Sequence, residues 1–198
     1  MKKTIGVIDY GLVGNVFSIC NAIENSGHKS LIIDSPKKLQ KISRLILPGV
    51  GSFDEGMNEI IKSGFAETII NFQGPILGIC LGMQLLCKIG FEGGSTQGLN
   101  LIDAEVKKIK CGFPVPHMGF NKIKVVNENQ LLTGIEKEEF YFMHSYEVVN
   151  YTDISSLTEY GNHTFVSAIH KDNIFGVQFH PEKSRLAGIK LIDNFSKI

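Results

Sequence analysis

The sequence predicts an α/β domain built around a largely parallel sheet with helices on both faces, and three observations support this fold class. In the first half of the 198 residues, apolar runs of strand length alternate with segments of helical periodicity. These runs are apolar throughout, which is typical of parallel strands covered on both sides. Unusual residues follow three of the strands, and sites in open α/β sheets lie beyond the carboxyl ends of strands.

The first half contains four predicted strands, each followed by a helix or a turn. The predicted strands are residues 4–9, 30–34, 44–47 and 75–79. The predicted helices are residues 16–25, 53–62, 65–72 and 81–88. Glycine or Pro-Gly pairs close several of these segments, as expected for helix ends and turns.

The second half predicts additional strands with antiparallel pairing. Some runs alternate apolar and polar residues, and short connections join them. These strands are residues 104–109, 121–126, 140–149, 164–170 and 174–179, and a helix at 185–196 ends the chain. No repeat or linker divides the sequence, so residues 1–198 are predicted to form a single domain.

Composition excludes several classes of function. The 20 basic residues balance the 20 acidic ones, so no global charge favours nucleic acid or a membrane surface. No apolar run approaches the ~20 residues of a membrane span, and the N-terminus does not resemble a secretion signal. The cysteines at 20, 80, 87 and 111 lack the spacing of a metal site. We therefore expect a cytoplasmic protein with reduced thiols and without a metal or cofactor.

The most informative motif is G-x-C-x-G at residues 78–82, directly after a predicted strand. This is the pattern of a nucleophile elbow, with Cys80 at the position that serine occupies in α/β hydrolases. Glycines let neighbouring backbone approach the strained turn closely. A buried cysteine is more often a small apolar residue, but the flanking glycines favour a nucleophile here. Cys20 and Cys87 lie on predicted helices and are assigned to packing.

Two further strand ends carry residues that such a nucleophile needs. His180-Pro181-Glu182 places an imidazole base two residues from a carboxylate that can orient it. Pro48-Gly49-Val50-Gly51 is a tight loop whose amides can face an oxyanion, although a plain turn is the favoured explanation of this motif taken alone.

Together these motifs resemble the class I (triad) glutamine amidotransferases. Three further segments narrow the resemblance to the glutaminase subunits of imidazole glycerol phosphate synthases, which act in histidine biosynthesis. These segments are residues 116–121 (Pro-His-Met-Gly-Phe-Asn), 141–146 (Tyr-Phe-Met-His-Ser-Tyr) and 176–184 (Gly-Val-Gln-Phe-His-Pro-Glu-Lys-Ser). The similarity extends over nearly the whole chain.

The resemblance implies a role for each matching residue. Cys80, His180 and Glu182 would form the catalytic triad, which hydrolyses glutamine to glutamate and ammonia. The oxyanion would lie between the N–H of Leu81 and the loop of Val50 and Gly51. The amino-acid end of glutamine would be held by Gln84, Glu92, Ser145 and Tyr146. A solvent-facing Gln84 and a core-covering Tyr146 are the simpler alternatives.

The resemblance also implies a partner, a (β/α)8-barrel cyclase subunit that receives the ammonia and forms imidazole glycerol phosphate and AICAR. Positions expected near this interface are Asn15, Met118, Phe120, Asn121 and Lys183. Two departures lie among them: the segment from Tyr10 to Asn15 is one residue longer than in the family, and Phe120 replaces a tryptophan.

Three alternatives remain open from the sequence. A paralogous glutaminase could supply ammonia for amidino sugars of surface polysaccharides, using the same triad. The domain could be a non-catalytic interaction module, or an unrelated cysteine hydrolase that shares only the elbow. The complete set of Cys80, His180 and Glu182 favours an enzyme over an interaction module.

Overall fold

The computed structural model describes residues 3–11 and 15–198. The inserted residue of the segment from Tyr10 to Asn15 falls at positions 12–14, outside the described residues.

The described residues form five α-helices, fourteen strands and three short 3₁₀ helices. The α-helices are α1 (Val16–Asn25), α2 (Phe53–Lys62), α3 (Phe65–Ile70), α4 (Leu81–Leu85) and α5 (Arg185–Lys197). The strands of the first half are β1 (Thr4–Ile8), β2 (Lys29–Ile33), β3 (Leu45–Leu47), β4 (Ile76–Ile79), β5 (Cys87–Gly90) and β6 (Thr96–Gln97). The later strands are β7 (Ile102–Lys108), β8 (His117–Lys122), β9 (Lys124–Val125), β10 (Glu139–His144), β11 (Tyr146–Val149), β12 (Ile154–Tyr160), β13 (His163–Lys171) and β14 (Ile174–Val177). The 3₁₀ helices are Pro36–Lys41, Gln130–Leu132 and Pro181–Lys183.

The central sheet has eight strands in the order β2-β1-β3-β4-β14-β13-β12-β9. The first five strands are mutually parallel, and the last three add antiparallel pairs. The parallel order begins 2-1-3-4, as in flavodoxin-like folds, with β14 in fifth place. Because β4 pairs directly with β14, the residues after Ile79 and Val177 emerge side by side at one edge of the sheet.

Apolar side chains fill both faces of this sheet. On one face, α1 and α5 contribute residues such as Ile19, Ile23 and Phe195. On the other face, α2, α3 and α4 contribute residues such as Phe53 and Leu85. The predicted α/β fold class, with a largely parallel sheet and helices on both faces, is confirmed.

Two smaller sheets lie outside the central one. β8 and β10 form an antiparallel pair, and β11, β7, β5 and β6 form a four-stranded sheet. The predicted strand at 140–149 is divided at Ser145, whose carbonyl accepts a hydrogen bond from Ile109. β5, β6 and β12 have no counterpart among the predicted strands.

The predicted helix at 81–88 is wrong in its second half. It ends at Leu85, and Cys87 lies on β5, paired with Ile102. The carbonyls of Leu85 and Leu86 accept hydrogen bonds from Leu99 and Leu101, so this backbone pairs with a distant segment of the chain. Cys87 is fully buried, so its assignment to packing holds on a strand.

None of the helices in the part of the chain that the structure describes is long and apolar enough to cross a membrane.

Candidate active site

Cys80 occupies a strained turn between β4 and α4. Its φ of 53° and ψ of −111° lie outside the regions that side-chain-bearing residues favour. A Cβ on Gly82 would come within 1.9 Å of the Leu47 carbonyl oxygen, and one on Gly78 within 2.7 Å of the Met83 backbone. Only glycine fits at either position, so the sequence G-x-C-x-G is a steric requirement of this turn.

The sulfur of Cys80 is nearly buried, with 7% of the residue exposed. Sγ lies 3.8 Å from the Met143 carbonyl oxygen and 3.6 Å from Nε2 of Gln178. Leu81 is the first residue of α4, so its N–H has no acceptor within the helix. Because α4 has only five residues, its dipole favours a thiolate less than the longer predicted helix would.

His180 and Glu182 form a buried pair beside this turn. The imidazole Nδ1 lies 2.8 Å from Oε1 of Glu182, and the two side chains are 1% and 0% exposed. A carboxylate only accepts, so Nδ1 carries a proton, and in the neutral ring Nε2 has the free lone pair. Nε2 is buried without a hydrogen-bond partner among the described residues. Nε2 is therefore the position at which the ring holds its second proton.

Charge compensates for the burial of His180. Burial alone would lower the pKa of the imidazole, but the negative charges of Cys80 and Glu182 outweigh it and raise the pKa to about 10. The backbone of His180 is also held in place: its N–H donates to the Tyr141 carbonyl at 2.8 Å, and its carbonyl accepts from Ser184 Oγ at 2.6 Å.

Asn15 contacts Glu182, which lies behind His180. Its side-chain amide donates to Oε1 of Glu182, the same oxygen that accepts from His180. The second oxygen, Oε2, is buried and has no partner among the described residues. The sequence predicts Asn15 as a partner contact, and the structure places it against the carboxylate of the predicted triad. Its role at an interface stays a prediction.

One cavity of about 170 Å³ brings the predicted site residues together. Its walls include Cys80 and His180, the predicted oxyanion residues Val50, Gly51 and Leu81, and the predicted substrate contacts Gln84, Glu92, Ser145 and Tyr146. Glu182 is not part of the lining and lies behind His180. These nine wall residues come from five separate segments of the sequence, which meet beyond the ends of β4 and β14.

Two of the predicted substrate contacts also have partners within the protein. Gln84 is 4% exposed, so the solvent-facing alternative is wrong, and its Nε2 donates to the Tyr146 carbonyl at 3.0 Å. Glu92 Oε2 accepts the N–H of Phe53 at 2.9 Å, at the start of α2. Burial raises the pKa of the Glu92 carboxyl, so this wall of the cavity favours an arriving cation.

The predicted partner residues divide into two groups. Met118 and Phe120 are exposed, and the Phe120 ring contacts the Tyr141 ring and the Arg185 guanidinium. Lys183 Nζ lies 5.5 Å from the centroid of the Tyr141 ring, so it belongs to the same surface. Asn121 instead points inward and donates to the Glu159 carbonyl at 2.8 Å.

A pair of buried histidines, which the sequence predictions do not include, adjoins the cavity: His144 lines it, and His117 does not. His117 Nδ1 is 3.2 Å from His144 Nε2, and His144 Nδ1 is 2.9 Å from the Tyr146 carbonyl oxygen. Burial lowers the pKa of His117 to about 4 and that of His144 to about 3. Both rings are therefore neutral near pH 7, and each donates through Nδ1.

This pair predicts a stability loss in mild acid. The pKa of histidine in the unfolded chain is about 6.5. Below that pH the unfolded chain binds protons that the two native histidines do not bind. The free energy of unfolding should thus fall as the pH decreases from 6.5 towards 4, by at most about 1.4 kcal/mol per pH unit for each histidine. His117→Phe keeps the stacking on Phe142 and should lower this slope, as urea unfolding at several pH values measures. The carboxylates contribute equally to the wild-type protein and to His117→Phe. The same dependence of unfolding free energy on pH in both proteins would therefore contradict the prediction.

Comparison with known proteins agrees with this geometry. Residues 7–197 match the family described as "Glutamine amidotransferase class-I". The chain belongs to the class-I glutamine amidotransferase family. The predicted family and enzyme class are thereby confirmed: the chain is a glutamine amidotransferase.

Full-length relatives within this family carry a common name. The chain is 46% identical to imidazole glycerol phosphate synthase subunit HisH 2 of Methanococcus maripaludis, covering 98% of both chains. It is 43% identical to subunit HisH 1 of Campylobacter jejuni, covering 98% of this chain and all of the relative.

Solved structures share the amidotransferase fold. A crystal structure of a glutamine amidotransferase matches with a TM-score of 0.76 at 15% identity, over 98% of this chain and 99% of the other. The structure of PurLQS from Thermotoga maritima gives 0.71 at 18% identity, over 98% of both chains.

Within residues 3–11 and 15–198, no group of three or more histidine, cysteine or acidic side chains is placed to hold a metal ion.

Proposed function

We propose that this chain is the glutaminase subunit of an imidazole glycerol phosphate synthase. It would hydrolyse glutamine and pass the ammonia to a (β/α)8-barrel cyclase subunit, which forms imidazole glycerol phosphate and AICAR in histidine biosynthesis. The observation that carries the proposal is the meeting of Cys80 and the His180–Glu182 pair at one cavity. The similarity to HisH subunits supports the pathway. A cytoplasmic location stays part of the prediction.

The first half of the proposed reaction forms a thioester. The proton of Cys80 resides on His180 Nε2, and the thiolate sulfur attacks the side-chain carbonyl carbon of glutamine. The negative charge that develops on the carbonyl oxygen faces the N–H of Leu81 and the loop of Val50 and Gly51. When the C–N bond breaks, the imidazolium gives its proton to the departing nitrogen, and ammonia leaves.

The second half consumes one water. His180 removes a proton from the water, whose oxygen attacks the thioester carbon. The C–S bond then breaks, glutamate leaves, and the proton returns to sulfur. Glutamine and water thus become glutamate and ammonia, and the enzyme is restored. Throughout, Glu182 accepts from Nδ1 and stabilises the imidazolium.

The cavity wall fits the amino-acid end of glutamine. In the proposal Glu92 presents a carboxylate to the α-ammonium group, and the Ser145–Tyr146 segment of the same lining offers further polar groups. These three residues, together with Gln84, hold the side-chain amide towards Cys80 in the proposal. Positioning of this kind converts binding energy into rate.

The partner surface is proposed next to the cavity. Met118 pairs in register with Met143, and Met143 lines the cavity, so β8 and β10 connect the exposed surface to the site. Exposed Met118 and Phe120 supply apolar contacts, and Lys183 can pair with a carboxylate of the barrel. Docking there would cover the opening and keep ammonia out of bulk water.

The sugar-amidating alternative is not favoured by the comparisons, since the full-length relatives described above are HisH subunits. It remains the function that an experiment must separate from the proposal, because both functions use the same triad.

Complementation of a histidine auxotroph that lacks its own glutaminase subunit separates these two functions. Expressed with its native barrel subunit, the chain should restore growth without histidine, and a Cys80→Ser copy at equal expression should not. Purified complex should release glutamate from glutamine faster than the isolated chain does. Absence of growth together with a glutamine-hydrolysing complex would contradict the histidine pathway and favour the sugar-amidating alternative.

A further inference from the structure

We propose that Gln178 is a further catalytic residue, whose side-chain amide donates a hydrogen bond to the sulfur of Cys80 and stabilises the thiolate. This inference rests on the proposed function only in taking Cys80 as the nucleophile. Gln178 is fully buried, and its Nε2 lies 3.6 Å from Sγ. The sequence predicts no role for Gln178, although it lies within residues 176–184, one of the segments that resemble the family.

The sheet places Gln178 beside the nucleophile. β14 ends at Val177 and pairs in register with β4, which ends at Ile79. The Cys80 N–H donates to the Val177 carbonyl at 2.8 Å, and the Gln178 N–H donates to Ser167 on β13 at 2.9 Å. The backbone on both sides of the contact is thus fixed by the central sheet, so the two side chains meet without any loop movement.

The direction of the hydrogen bond follows from neighbouring groups. The Tyr146 carbonyl can only accept, so the Gln84 amide must turn its nitrogen towards it, at 3.0 Å. The same nitrogen has a second hydrogen, which faces Oε1 of Gln178 at 2.9 Å. With its oxygen occupied by Gln84, Gln178 must direct its own nitrogen to the sulfur. A donor rather than an acceptor therefore faces Cys80.

This arrangement gives the sulfur a partner in each protonation state. As a thiol, Cys80 can donate to the Met143 carbonyl, 3.8 Å away. As a thiolate it accepts from Gln178, and hydrogen bonds to a charged group are stronger than those between neutral groups. Gln178 therefore favours the reactive thiolate over the thiol, and it fixes the sulfur position before glutamine arrives.

Replacement of Gln178 tests this role in the chain bound to its partner. Gln178→Met has similar length and no N–H donor, and we expect iodoacetamide to alkylate Cys80 about ten-fold more slowly at pH 7. Glutaminase kcat should fall by a similar factor with a smaller change in KM. Gln178→Glu keeps the shape but turns an oxygen towards the sulfur. It should react more slowly than the methionine variant, and the ratio of its rate to that of the wild-type enzyme should rise at lower pH as the carboxyl becomes protonated.

The controls separate a local role from a general disturbance. Gln97→Met changes an exposed glutamine on β6 and should alkylate at the wild-type rate. Circular dichroism and urea unfolding check that each variant is folded. If Gln178→Met does not fold, the isosteric glutamate variant and its pH profile carry the test. Alkylation of Cys80 at the wild-type rate in a folded Gln178→Met or Gln178→Glu protein overturns the inference.

The alkylation readout is independent of the pathway. If the wild-type complex releases no glutamate, the proposed function fails, while the ratio of alkylation rates still decides whether Gln178 supports the thiolate. Conversely, an active wild-type enzyme with unchanged alkylation in the variants would reject Gln178 and leave the proposed function intact.

Discussion

Cys80→Ala is expected to lower the glutaminase kcat by at least about 10⁴-fold, the loss typical for removal of a nucleophile that acts as a unit with its base. The sulfur is the group that the cavity presents beside His180, and alanine at this position removes the atom that attacks glutamine. Alanine tolerates the positive φ about as well as cysteine does, so the fold should survive. Glutamate release by the complex measures the effect.

Cys87→Ala is the matched control for this variant. Cys87 is fully buried on β5, where its thiol donates to the Met83 carbonyl, and burial raises its pKa well above the usual range. We expect near-normal glutaminase activity in Cys87→Ala, with some loss of stability from the small void. In the wild-type enzyme a glutamine-like electrophile should label Cys80 and not Cys87. Equal labelling of both cysteines, or normal turnover in Cys80→Ala, would contradict the mechanism.

A second readout separates hydrolysis from synthesis. If the partner accepts free ammonia, the complex carrying Cys80→Ala should still form product when ammonium is added at high pH. Loss of both activities would mean that the substitution disturbs the interface as well as the nucleophile.

The elements of the first half could be predicted from sequence because each is defined locally. α1 and α2 have helical periodicity closed by Ser-Gly pairs, and their bounds agree with those predicted. The end of α4 at Leu85 has no local signal in the sequence, because it depends on hydrogen bonds from Leu99 and Leu101. β12 was missed for a similar reason: its residues include buried serines, such as Ser156, which hydrogen-bonds to Ser167 across the strand pair.

The residues of the candidate site also divide into those that a local sequence pattern identifies and those that it does not. Cys80 lies between two glycine positions after a strand, and His180-Pro181-Glu182 follows another strand, so local sequence patterns single them out. Gln178 and Asn15 are amides without a distinctive local pattern, and their importance lies in what they contact. Asn15 reaches Glu182 across 167 residues, and Gln178 reaches Cys80 across 98. A local sequence pattern does not identify residues whose role depends on contacts with groups far away in the chain.

Substitution of Glu182 is expected to give the second large loss of kcat. The hydrogen bonds of this carboxylate allow the effect of its charge to be separated from the effect of its position. Both His180 Nδ1 and the Asn15 amide contact Oε1, whereas Oε2 has no partner among the described residues. In Glu182→Gln, the amide oxygen can occupy the Oε1 position and retain both hydrogen bonds. This variant therefore removes the negative charge and little else.

The two substitutions at this position should therefore lower kcat by different factors. We expect Glu182→Ala to lower the glutaminase kcat by about 10³- to 10⁴-fold, because it loses the orientation of the imidazole as well as the charge. Glu182→Gln should lose about ten- to a hundred-fold, because an uncharged acceptor supports the imidazolium less well. Glu67→Gln, an exposed site on α3, is the matched control and should be unaffected. Normal turnover in Glu182→Ala would exclude this carboxylate from the mechanism.

The charges of Cys80 and Glu182 beside His180 also predict a pH dependence of stability. The pKa of His180 is raised to about 10, against about 6.5 in the unfolded chain. Between these values the native protein holds a proton that the unfolded chain releases, so this contribution is complete below pH 6.5 and is lost as the pH rises towards 10. Glu182→Gln lowers the native pKa and should flatten this decline, as unfolding in urea at pH 6.5–10 measures. An unchanged decline would show that Cys80, rather than Glu182, holds the proton on His180.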